Sequence, residues 1–202
     1  PAAKPGDVKF KDQPVDSLGG VGDGKIDAGD MVYIGKPLPD WTFGLTLGVE
    51  FKGFDLSLFL QGVTGNQVYW AGYRNDRTEY NRAVMWYDNR WTEPGSSDKY
   101  PRATNTDANN NFRVSSLNVY DGDYLRLKNL TLGYTLPANL SNKIFIKKLR
   151  VFYTGTNLLT WTKYAGTDPE VGMFDPDNNN SLGVDKGLYP PTQIHSLGVN
   201  VV

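Results

Sequence analysis

Apolar and polar residues alternate with a period of two along several stretches of the chain, while helical spacing is scarce. From Phe43 to Phe51 the odd positions hold Phe43, Leu45, Leu47, Val49 and Phe51, and the even ones Gly44, Thr46, Gly48 and Glu50. After Lys52-Gly53 the pattern resumes, with Phe54, Leu56, Leu58 and Leu60 against Asp55, Ser57, Phe59 and Gln61. Two strands joined by so short a link predict a hairpin over 41–62. A third run, Tyr124 to Leu136, carries Leu125 and Leu127 in one phase and Leu130, Leu132, Tyr134 and Leu136 in the other. The slip at Lys128-Asn129 predicts a β-bulge. A fourth run, Leu149 to about Thr160, completes a strand pair over 124–160, and a terminal strand over 194–202 holds Leu197, Val199 and Val201 in one phase.

The face opposite the apolar one is unusually small: Gly44, Thr46, Gly48, Ser57, Gly133 and Gly198. A soluble sandwich and a membrane barrel both remain open on that pattern. Connection lengths separate them. The link 52–53 is short and 137–148 of medium length, whereas 63–123 is very long and 161–193 long, and shorter links alternating with longer ones suit an outer-membrane β-barrel. In that arrangement the Asp/Gly-rich segment 1–40 and the loops 63–123 and 161–193 are extracellular, and 52–53 and 137–148 are periplasmic. A structureless loop of that size argues against a compact soluble domain.

Composition adds exclusions. The 202 residues carry 21 Lys+Arg against 22 Asp+Glu, so no overall field recruits nucleic acid. Cysteine is absent, and His195 is the one histidine, which removes disulfide scaffolds, zinc–thiolate sites, cysteine nucleophiles and multi-histidine metal centres. No stretch reaches the roughly 18 apolar residues of a spanning helix, a test that says nothing of barrels. No signal peptide follows Pro1. For an outer-membrane protein, that places the secretion signal upstream.

In order along the chain, several segments resemble the C-terminal region of SusC/RagA-type TonB-dependent outer-membrane transporters. They are Gly6-Asp7-Val8-Lys9-Phe10-Lys11-Asp12, Gly22-Asp23-Gly24-Lys25-Ile26-Asp27 and Ile34-Gly35-Lys36-Pro37. Further on come Trp41-Thr42-Phe43-Gly44, the run from Phe51 to Gly62, and Tyr124-Leu125-Arg126-Leu127-Lys128-Asn129-Leu130. Leu132-Gly133-Tyr134-Thr135-Leu136-Pro137, Gly155-Thr156-Asn157-Leu158-Leu159-Thr160, Asp168-Pro169-Glu170 and Ser196-Leu197-Gly198-Val199-Asn200 complete the set. The resemblance implies an all-β, antiparallel transmembrane barrel of about 22 strands, of which this chain supplies roughly the last five. It also implies import of an oligosaccharide or a peptide with a SusD-like surface lipoprotein, powered by the TonB complex acting on an N-terminal plug that lies outside this sequence. Members usually end on an aromatic residue, and this chain stops at Val201-Val202. The reading kept beside it is a secreted, calcium-dependent carbohydrate-binding β-sandwich.

Three places carry candidate chemistry. Asp23, Gly24, Asp27 and Asp30 fit positions 5, 6, 9 and 12 of a calcium loop, although positions 1 and 3 fall on Gly19 and Val21, which offer no side-chain ligand. A solvated turn satisfies the same residues. The loop 63–123 is rich in aromatics and arginines, among them Trp70, Tyr73, Arg74, Trp86 and Trp91. Such rings stack on solutes or meet a lid, and they equally serve as the loop's own core. Asp175 to Asn180 reads as a turn, and His195, in the outward phase, suits the interfacial girdle of a barrel. No phosphate loop, nucleophile elbow or paired-histidine motif points to catalysis, so the chain is expected not to be an enzyme.

Overall fold

The computed structural model describes residues 3–14, 19–72, 81–172 and 181–202. Strands β1 (Trp41–Phe51), β2 (Phe54–Thr64), β5 (Tyr124–Thr135), β6 (Leu149–Thr162) and β8 (Ile194–Val201) form one antiparallel five-stranded sheet in the order β1-β2-β5-β6-β8. Three shorter strands, β3 (Gln67–Trp70), β4 (Val119–Asp121) and β7 (Val184–Asp185), form a second sheet in the order β4-β3-β7. Two short helices complete the outline, α1 (Val84–Asn89) and α2 (Ala138–Ser141).

Each long strand follows from its alternation. The β1–β2 turn closes at Phe51 and Phe54, with Lys52 and Gly53 both at positive φ, 47° and 86°. That geometry matches the twist of the flanking strands. Glycine is needed at 53 on two counts, because a Cβ there would also lie 2.7 Å from the Thr135 carbonyl oxygen.

The expected bulge is present. Leu127 pairs with Leu60 and Asn129 with Phe59, leaving Lys128 without a partner on β2. On the other side, Leu127 faces Leu159 and Asn129 faces Thr156, so Asn157 and Leu158 are passed over, with Asn157 at φ 53°. The extra residue returns the phase-slipped leucines to a common face. Val49, Leu56, Leu132, Tyr153 and Leu197 are consecutive partners across all five strands. Neighbouring rows run Leu47, Leu58, Leu130, Gly155, His195 and Phe51, Phe54, Tyr134, Val151, Val199.

That apolar face has no second sheet packed on it among the described residues. Leu45 and Leu47 are each 48% exposed, and Leu197 83%. A β-sandwich would bury these positions in its core, so the sandwich reading does not hold. Instead the face has the layout of a bilayer band. Aliphatic residues occupy the middle, with Trp41, Phe43 and Trp161 at one end and Phe51, Phe54 and Tyr134 at the other. The 11 residues of β1 extend roughly 35 Å, which a barrel tilt of about 45° reduces to the height of an outer-membrane apolar band, about 25 Å. Among the described residues no helix is long and apolar enough to cross a membrane.

The long connections are not plain coil. The link 63–123 holds β3, α1 and β4, and the link 161–193 holds β7. The chain divides into two compact units, Pro1–Gly35 with Trp70–Val119, and Lys36–Tyr69 with Tyr120–Val202. In the first, Trp86, Tyr100 and Phe112 are buried together, flanked by Met85 and Leu117. The second contains the five-stranded sheet.

Candidate functional site

The polar face of the large sheet carries its charges in two groups. Toward the short turns, Arg150 on β6 donates through Nε to Asp55 on β2 at 2.9 Å, with a second bond from its Nη2 to the other carboxylate oxygen. Gly133 on β5 lies beneath this fork, and a Cβ there would meet both charged groups within 2.6 Å. The bridge spans β5 because β5 has no side chain at that position.

Toward the long connections, Arg126 on β5 is 1% exposed and every arm is engaged. Its Nε donates to the Thr160 hydroxyl at 2.9 Å, Nη1 to Glu170 at 2.9 Å, and Nη2 to Asp168. Lys128, the bulge residue, adds bonds of 2.7 and 3.0 Å to Glu170. Asp168-Pro169-Glu170 is thereby fastened to the polar face, and the Asp168 carboxylate also accepts from the Glu170 N–H at 2.7 Å. The sequence held a signal for this cluster, a lone arginine in the inward phase of an otherwise apolar run, which pattern reading alone did not use.

Two further carboxylates hold the small sheet in place. Asp123 accepts from the Thr64 hydroxyl at 2.5 Å and the Gly65 N–H at 2.6 Å. The Thr64 bond is the chief cause that holds its carboxyl below the usual range. Asp185, buried on β7, accepts from the Tyr164 hydroxyl at 2.7 Å and from the Gly187 N–H at 2.7 Å. Burial, then the carboxylate of Asp185, pushes the Tyr164 hydroxyl up from its ordinary value.

The aromatic loop residues have separate surroundings. Trp86 is buried in the core of the first unit, with the Arg82 guanidinium 5.9 Å from its ring. Trp70 ends β3 and is half-buried. Trp91, also half-buried, lies against Gly6. Tyr73 and Arg74 fall outside the described residues, as does the turn at 175–180.

The Asp-rich loop satisfies itself. Asp27 caps a 3-10 turn at Ala28–Asp30 by accepting from the Gly29 N–H, and Asp30 reaches back to the Asp27 N–H at 2.8 Å. Asp30 also accepts from Gln13 at 2.7 Å, and these two N–H groups, Gln13 first, hold its carboxyl below the usual range. Asp23 accepts from Lys25 N–H at 2.9 Å, and Asp12, rather than Asp23, accepts from Gly24. Among the described residues no three acidic, His or Cys side chains gather in a way that could hold a metal ion. In this arrangement the loop's carboxylates turn to neighbouring N–H groups.

His195 is on the apolar face, its Nδ1 2.7 Å from the Tyr153 hydroxyl. A polar pair on that face is satisfied internally, as a lipid-facing pair must be.

A single-layer antiparallel sheet with an aromatic-rimmed apolar face, a charged and glycine-rich opposite face, and connections alternately short and long is the wall of a transmembrane β-barrel. In this chain the sheet is open at β1 and β8. No family model matches the chain. Over 185 residues it is 34% identical to TonB-dependent receptor P3 of Formosa agariphila, and 36% identical to TonB-dependent receptor P26 of the same organism; each match covers 89% of this chain and 18% of the relative. Over 182 residues it is 28% identical to TonB-dependent receptor SusC of Bacteroides thetaiotaomicron, covering 89% of this chain and 17% of that protein. Among solved structures, the RagAB peptide importer in its open-open state aligns with a TM-score of 0.68 at 26% identity, over 94% of this chain and 20% of the importer chain. The chain belongs to the SusC/RagA-type TonB-dependent receptors. It spans about 18% of the length of these curated relatives.

Proposed function

We propose that this chain is part of the barrel wall and extracellular loops of an outer-membrane, TonB-dependent nutrient importer that works with a SusD-like surface lipoprotein. The observation that carries the reading is the five-strand row structure. One face is apolar but for the paired Tyr153 and His195, and the other carries small and charged residues suited to a filled, wet lumen. In this reading the loops 63–123 and 161–193 meet the solute and the lipoprotein, and the TonB complex acts through a plug domain outside this sequence. The solute is an oligosaccharide. A peptide is the second reading, favoured by the structural likeness to the RagAB peptide importer.

The test is uptake of a labelled oligosaccharide by cells carrying the full-length receptor and its lipoprotein, with and without functional TonB. Uptake that needs both receptor and TonB is expected. Equal uptake in cells lacking either would overturn the reading.

A further inference from the structure

Within the first unit, Lys9 and Lys11 are both exposed and line the same cavity. Two cavities lie along Val8–Lys11, of about 360 and 500 Å³, and they share Val8, Lys9, Asp98 and Lys99 as walls. Together they make one groove. Trp91 and Tyr100 line one end, and Ser115 and Ser116 the other.

Three features give the groove its chemistry. Its charge is positive. Lys9, Lys11 and Lys99 face a single uncommitted carboxylate, Asp98, because the other acid on the wall, Asp7, is taken up by Arg102 Nε at 2.9 Å, Asn111 Nδ2 at 3.0 Å and the Lys4 N–H at 2.8 Å. Among the described residues neither Lys9 nor Lys11 has a carboxylate partner. A hydroxyl is also waiting, since Ser115 Oγ is buried on the groove wall without a hydrogen-bond partner. Such a group is costly to leave unmade. The third feature is a ring set into the wall. Gly6, at φ 85°, lets the backbone lie directly on Trp91, where a Cβ would come within 2.4 Å of the indole. That fixes the indole as a rigid side of the groove.

We propose that this groove binds the anionic group, carboxylate or sulfate, of an acidic oligosaccharide. Lys9, Lys11 and Lys99 neutralise the charge, Ser115 donates a hydrogen bond, and Trp91 packs against a sugar ring. The proposal rests on the importer reading and narrows it to a class of solute. Lysine ammonium groups beside an indole and serine hydroxyls suit a charged sugar, which offers point charges and a ring face in one molecule.

The test is titration of the full-length receptor in detergent with three tetrasaccharides, neutral galactotetraose, tetragalacturonate and a sulfated galactotetraose, and with a tetrapeptide of glutamate. One or both acidic sugars should bind about tenfold more tightly than the neutral one, with an affinity that falls as salt rises. Which acidic sugar binds identifies carboxylate or sulfate as the group. In the K9Q/K11Q variant, whose changed side chains are both exposed, this preference should vanish, the acidic sugars falling to the affinity of the neutral one. Equal binding of all three sugars, no binding of either acidic sugar, or an unaltered preference in K9Q/K11Q would overturn the proposal. So would tighter binding of the glutamate peptide than of either acidic sugar. TonB-dependent uptake that persists beside any of these results leaves the importer reading standing, so the two failures are distinguishable.

Discussion

The Arg126 guanidinium and the Asp168 carboxylate form an ion pair on the polar face of the sheet, joining strand β5 to a loop residue 42 positions further along the chain. Both partners are nearly covered, with side-chain exposures of 2% and 12%. Glu170 shares the same guanidinium, and Lys128 shares Glu170. Arg126→Ala therefore takes the guanidinium from two carboxylates at once, leaving Asp168 without a cation and Glu170 with Lys128 alone. Its expected cost is about 3 kcal/mol, the lower end for breaking a covered pair, because Glu170 is 36% exposed. The loss should appear as faster protease cleavage between Lys163 and Gly172, with the strands still protected. Asp168→Asn, which keeps a hydrogen-bond acceptor, should loosen the same segment less.

Replacing Leu58 by Arg places a charge on the apolar face in the middle row of the sheet, partnered by Leu47 and Leu130. The expected penalty is about 2–4 kcal/mol if that row lies near the bilayer midplane. Ser57→Arg, one residue away on the polar face, should assemble with little loss. Urea titration of the folded barrel in lipid measures both.

Deleting Lys128 removes the bulge. The register of β5 then slips by one residue on one side, sending either Leu125 and Leu127 or Leu130 and Leu132 to the polar face. Assembly should fail, as judged by loss of the heat-resistant folded band on gel electrophoresis. Lys128→Ala keeps the extra residue and should assemble, losing only the bonds to Glu170.

How far this was legible in the sequence depends on the kind of contact involved. The β1–β2 hairpin, the bulge and the shared apolar phase were readable, because period-2 alternation over strands of 11 or 12 residues leaves a long record. Strands β3, β4 and β7 were not, since runs of 4, 3 and 2 residues are too short to show a period. Trp86 and Trp91 are one residue type in one loop, yet one is core and the other half-buried on a groove. Only the folded path of the loop separates them. The spacing of Asp23, Asp27 and Asp30 suggested metal ligands, but the same short-range geometry lets each carboxylate cap a neighbouring N–H.

Trp86 is 7% exposed and contacts Phe112 at a centroid distance of 6.0 Å. Trp86→Ala should destabilise the first unit by about 3–5 kcal/mol, read as loss of protease protection across 81–119. Trp86→Phe should restore most of it. If the alanine variant left protection unchanged, the indole would not be part of a core.

Acid should loosen the Asp-rich segment and the β2–β5 corner first. In the folded chain the carboxyls of Asp30 and Asp123 are held below their ordinary values by hydrogen bonds that favour the ionised form. Their contribution is complete above the unfolded carboxyl value of about 4 and is lost as pH falls through the lowered folded values. The protection of the Gln13, Asp27 and Gly65 amides, taken relative to their intrinsic exchange at each pH, should be high at pH 7 and fall below about pH 4. Asp123→Asn should remove that dependence at Gly65 alone.

The central claim, that one face of this sheet meets lipid and the other a wet lumen, can be read directly by spin labels. These 202 residues contain no cysteine, so, with any cysteine outside them replaced, single cysteines at Leu47, Leu58, Leu130 and Leu132, and at Gly48, Ser57, Thr131 and Thr154, report their own positions. In the full-length receptor reconstituted in bilayers, labels on the first four should be broadened by oxygen and shielded from a water-soluble nickel chelate, with the reverse at the second four. If the two sets show the same accessibility, or labels on the leucines meet the chelate freely, this chain is not the wall of a transmembrane barrel.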